Sequence, residues 1–84
     1  MTINNHGTTE TVRVQVEVRR AGRSDIDRET LVSPGSSAFY DFDDVTRLAV
    51  RVYRNSDNFR IFDDFWDADN LRQLHDTVVV DVSP

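Results

Sequence analysis

The stretch FDDFWDADN, Phe62 to Asn70, places four aspartates and three aromatic rings within nine residues. Clustered carboxylates can ligate a hard cation, rim a recognition surface or cap a helix, and each use demands its own spacing. A calcium loop of the EF-hand kind needs oxygen ligands at alternate positions, glycine at the sixth and glutamate at the twelfth. Counted from Asp67, the third position is Asp69, but the fifth is Leu71, the sixth Arg72 and the twelfth Val78. The motif fails. What remains is an irregular cation site of Asp63, Asp64, Asp67 and Asp69, set against the expectation that these carboxylates are solvated and that no metal or cofactor is bound.

Other catalytic chemistry finds little support. His6 lies in the polar stretch NNHGTT, and His75 falls at the end of an expected helix. Ser33, Ser36 and Ser37 belong to a turn rather than to a strained strand-to-helix elbow. Gly7, Gly22 and Gly35 are isolated, so no phosphate-cradling loop exists. The chain is expected not to be an enzyme.

The aromatic residues are better placed for recognition. Tyr53, Phe59, Phe62, Phe65 and Trp66 fall within fourteen positions. Trp and Tyr anchor interfaces, and neighbouring aspartates supply a polar rim. Tyr53, Phe62, Phe65, Trp66 and Val79 are therefore the candidate partner-binding residues. The competing expectation is that Phe65 and Trp66 pack beneath a short helix as a satellite core. Exposure of both rings by more than a third would favour a binding surface.

The elements that must position these residues follow from a period of two. Val12, Val14, Val16 and Val18 alternate with polar residues, as do Leu48, Val50 and Val52 in Arg47–Tyr53. Thr77–Val82 repeats the pattern, except that Val79 makes its second face apolar. Weaker strands are expected at Glu29–Val32, Ser37–Phe42 and Phe59–Phe62, with a short edge strand near Thr2–Asn4. Ser33-Pro34-Gly35-Ser36 matches a type II turn, read as a hairpin or a tight corner. Asn55–Asn58 is a second turn, and Ala21–Asp27 a polar loop. Asp67 to His75 reads as a short helix, with acidic residues in its first turn and Arg72 and His75 near its end.

Six or seven strands separated by turns imply an all-β fold, a small antiparallel β-sandwich with one short helix near residues 67–75. In its valine ladders, Pro-Gly corner and aromatic-bearing strand, the arrangement resembles an immunoglobulin-like sandwich in architecture alone. The Cys and Trp landmarks of true immunoglobulin domains are absent, so the resemblance implies no function. Residues 1–84 are expected to form one domain with a thin core, since a chain this short buries only about 60–65% of its unfolded surface. There is no cysteine to reinforce it. The longest apolar run, Val78–Val80, is far too short for a membrane span. The expectation is a soluble, cytoplasmic protein.

Charge narrows the partners. The net charge of −5 arises entirely after residue 40, where five Arg meet ten Asp. An acidic half disfavours nucleic acid, which needs clustered positive charge. Three readings of function follow. The first is a non-enzymatic interaction or assembly module that contacts another protein or a second copy of itself. The alternative is an acidic inhibitor of phage type that mimics nucleic acid in a basic groove, using Asp41, Asp43, Asp44, Asp57, Asp63, Asp64, Asp67 and Asp69 on one continuous face. The third is a carbohydrate-binding module in which Trp66 and Tyr53 stack on sugar rings.

Overall fold

The computed structural model describes residues 1–42, 44–67 and 79–82. These residues form seven strands: β1 (Thr2–Asn5), β2 (Val12–Arg20), β3 (Arg23–Val32), β4 (Ser36–Phe39), β5 (Val45–Arg54), β6 (Arg60–Asp67) and β7 (Val79–Asp81). They assemble into a three-stranded sheet of order β4-β1-β7 and a four-stranded sheet of order β3-β2-β5-β6.

Valine alternation drives the pairing. In the β2–β5 ladder Val14 lies opposite Val52, Val16 opposite Val50 and Val18 opposite Leu48. All six are buried, and they meet Ile3, Val80 and Val82 from the three-stranded side in one core. A slip of one residue would turn every valine of β2 to water, so this register is strongly specified. Each such side chain stabilises the fold by about 1.5–3 kcal/mol on burial, before the entropy of ordering is counted.

Several expectations are corrected. The sheets are not wholly antiparallel: β1 and β7 run parallel, with Thr2 opposite Val79 and Ile3 opposite Val80. The Thr2–Asn4 segment is not an edge but the middle strand of its sheet, because β4 and β7 pair on its two sides. Nor is the strand order that of an immunoglobulin domain, which divides its second and third strands between sheets; here β2 and β3 form a hairpin within one sheet. Its turn is Ala21-Gly22, with Gly22 in the left-handed region (φ 67°). The expected polar loop at Ala21–Asp27 is therefore a tight turn followed by a strand. That strand is polar because β3 is an edge, where charged side chains deter pairing with other chains.

The Pro34-Gly35 turn is a corner rather than a hairpin, since it carries the chain from one sheet to the other. Gly35 has φ 79°, and the Ser36 amide donates to the Ser33 carbonyl at 3.1 Å. The segment FDDFWD also differs from expectation. β6 extends through it to Asp67, paired with β5, where the sequence suggested a strand ending at Phe62. The remainder of the helix expected near residues 67–75 lies outside the described residues. No helix among the described residues is long and apolar enough to cross a membrane.

Candidate interaction surface

Strand alternation sorts the candidate residues onto three surfaces. Phe62, Asp64 and Trp66 of β6 lie opposite Val52, Val50 and Leu48, so they share the inward side of the sheet. Phe62 and Trp66 pack there against the core. Asp63, Phe65 and Asp67 take the outer face, where Phe65 is 56% exposed. Tyr53 shares that face, half-buried, with the Arg13 guanidinium 5.0 Å from its ring centroid. Val79 belongs to the outer face of the other sheet and is 55% exposed. The pair Phe65 and Trp66 thus divides, one ring to water and one to the core.

The outer face of the four-stranded sheet is a lattice of cross-strand ion pairs. Arg51 lies 3.0 Å from Glu17 and 3.6 Å from Asp63, and Arg60 reaches Asp63 at 3.2 Å. Arg47 reaches Asp67 at 3.0 Å and sits 5.3 Å from the Phe65 ring centroid. Such exposed pairs contribute about 0–1 kcal/mol each, so they orient side chains more than they stabilise. The hydrogen bond that Arg51 donates to Glu17, then the Glu17 charge, raises the Arg51 pKa above its ordinary value, and Arg51 stays cationic.

Among the described residues the candidate carboxylates neither converge nor all share a face. Asp63 and Asp64 alternate across β6, and no group of three His, Cys, Asp or Glu among the described residues could hold a metal. The irregular calcium site gains no support from the placement of Asp63, Asp64 and Asp67. Asp44 and Asp57 stand at opposite ends of β5, paired with Arg23 at 3.3 Å and Arg54 at 2.5 Å respectively. Asp41 is exposed in the segment after β4. Asp43 and Asp69 lie outside the described residues. Four of the remaining six aspartates thus carry an arginine partner.

The turn at Asn55–Asn58 is fixed by Asp57, which accepts from Arg54 Nε and Nη2 and from the Phe59 amide at 3.1 Å. The Arg54 bonds, then that amide, hold the Asp57 carboxyl below the usual carboxylate range. Asn58 completes the turn in a left-handed conformation (φ 60°).

The outer face of the three-stranded sheet is simpler. One cross-strand row reads Phe39–Thr2–Val79, and the next reads Ser37–Asn4–Asp81. The polar row is linked: Ser37 Oγ donates to Asn4 Oδ1 at 2.5 Å, and Asn4 Nδ2 donates to Asp81 Oδ1 at 3.0 Å. His6 Nε2 stands 3.4 Å from Ser37 Oγ. This collects serine, histidine and aspartate, but not as a nucleophile relay. The serine proton points at Asn4, and the aspartate orients Asn4 rather than the imidazole.

Phe39, 77% exposed, was missed in the sequence. Alternation within Ser37–Phe42 carries the signal: Ala38, Tyr40 and Phe42 face the core, which sends Phe39 outward. No protein-family model, curated protein or solved structure matches this chain. Function must be argued from its own residues.

Proposed function

We propose that the protein is a non-enzymatic interaction module that associates with a second copy of itself through the outer face of its three-stranded sheet. The observation that carries this reading is the row Phe39–Thr2–Val79, whose two apolar members are 77% and 55% exposed. The two flank Thr2 on one sheet face, and apolar side chains grouped on a face mark contact surfaces where singly scattered ones do not.

The row has the symmetry that a homodimer needs. A twofold axis parallel to β1 and lying above Thr2, in the plane between the two facing copies, would lay Phe39 of each copy on Val79 of the other, making an isologous contact. Beside it, the Ser37–Asn4–Asp81 row would form a polar rim. The face is small against the roughly 800 Å² per partner of a standard interface, so a Kd weaker than about 1 μM is expected.

Sedimentation velocity over a concentration series tests the reading. The wild-type chain should shift from monomer toward dimer, and Phe39→Ser should stay monomeric with an unchanged circular dichroism spectrum. A wild-type chain that remains monomeric at millimolar concentration would defeat it. The nucleic-acid mimic and the carbohydrate module gain no such support: most of the described acidic candidates are paired with arginine, and Trp66 packs on the core rather than presenting a flat indole.

A further inference from the structure

Cross-strand register orders the outer face of the four-stranded sheet into rows. One reads Glu29–Gln15–Arg51–Asp63, the next Asp27–Glu17–Ala49–Phe65, and the last Arg19–Arg47–Asp67. Ala49 is the one short side chain in this array of long ones. The result is a dent of about 250 Å³ above Ala49, walled by Glu17, Arg19, Arg47, Arg51, Asp63 and Phe65.

The charges around the dent are unequally satisfied. Glu17 and Asp63 are both drawn to Arg51, which fills one end of the ring. At the other end Arg19 lies directly opposite Arg47, and like charges in that position are destabilising. Arg47 has Asp67, but Arg19 has no carboxylate partner among the described residues. The exposed Phe65 ring stands beside this pair, under the Arg47 guanidinium. A cationic pair, a shallow cavity and an aromatic wall thus meet at one point, distinct from the Phe39–Val79 row.

The geometry points to this dent as a binding site for a monocarboxylate attached to a compact apolar group. The carboxylate lies between Arg19 and Arg47, relieving their repulsion through charge-assisted hydrogen bonds. The apolar portion rests on Ala49 and against the Phe65 ring where the Arg47 guanidinium leaves it open. Charge matching selects this class over phosphate. Counted with Asp67 on Arg47, three arginines meet three acids, and only the Arg19 end lacks a carboxylate among the described residues. A single negative charge fits there, while a dianion is repelled more strongly by Glu17, Asp63 and Asp67. Such a group occurs on a free aryl or alkyl acid and at the C-terminus of a peptide ending in Phe or Leu.

An amide NMR titration of the full chain, with sodium phenylacetate as ligand, tests the site. Saturable shifts are expected at Arg19, Arg47, Ala49 and Phe65, while the neutral phenylacetamide should bind at least about tenfold more weakly, as expected for loss of a charge-assisted pair. Ala49→Leu should fill the dent and Arg19→Gln should remove the cation opposite Arg47. Each should weaken binding about tenfold or more with the fold intact by circular dichroism. Ala49→Val serves as a milder filling variant suited to a strand. A free-terminus Gly-Gly-Phe peptide compared with its C-terminal amide separates the two sources: preference for the acid peptide over phenylacetate assigns the site to chain ends, and the reverse to free acids. Equal binding of phenylacetamide, tighter binding of inorganic phosphate, or unchanged binding to the Ala49 variants would each overturn the proposal.

Discussion

Asn5 ends in a polar amide, yet it is as buried as the core valines. Its Nδ2 donates to the carbonyls of Glu10 and Val32, each at 2.9 Å, and its Oδ1 accepts from the Thr8 hydroxyl. One side chain thereby ties β1, the loop after it and the end of β3, and a buried polar group is tolerable only when so satisfied. Asn5→Ala should strand both carbonyls and lower stability by about 1–3 kcal/mol, read from urea unfolding. Asp57 offers a test by pH. Its carboxyl is held low by Arg54 and the Phe59 amide, so the stability it contributes is present above the ordinary carboxylate range. That contribution fades only as pH falls through the lowered value. In a ¹³C titration its midpoint should lie below that of a short reference peptide, and Arg54→Gln should move it back upward.

Among the elements, β2 and β5 were legible because four valines and a Leu-Val-Val set alternate within them. β3 and β6 were legible only at one end, as Glu29–Val32 and Phe59–Phe62, for a physical reason: an edge strand keeps only partial cover, so its residues need not alternate in polarity. Asp25 and Asp27 look like loop, and Asp64 sits on the inward side of β6 where an apolar residue would have signalled a strand. The central place of β1 rests on pairing between chain ends, which no local pattern encodes. The site suffered in the same way. The dent above Ala49 and the Phe39–Val79 row exist only through cross-strand register, while the linear cluster FDDFWD is dispersed by alternation onto both sides of one strand. The Pro34-Gly35 corner was readable, because its positive φ demands glycine. Nothing lies within 4 Å of where a Gly35 Cβ would stand. Gly35→Ala should therefore cost only backbone strain, about 1–2 kcal/mol. The expected fall in Tm is roughly 4–8 °C for each kcal/mol at this chain length.

The whole molecule combines two sheets on one thin core with a net charge of −5. Two such copies repel one another at long range, whereas the Phe39–Thr2–Val79 row attracts only on contact. Raising salt from about 0.01 M to about 1 M shortens the screening length from roughly 30 Å to 3 Å, so self-association should strengthen with salt. A contact built on ion pairs would weaken instead, and sedimentation in the two buffers separates the cases. The most direct test is an amide NMR dilution series on the wild-type chain. Thr2, Phe39 and Val79 should shift together with concentration, while Arg51, Tyr53 and Asp63 on the opposite outer face stay still. Shifts confined to that opposite face, or none at any concentration, would contradict self-association through the three-stranded sheet.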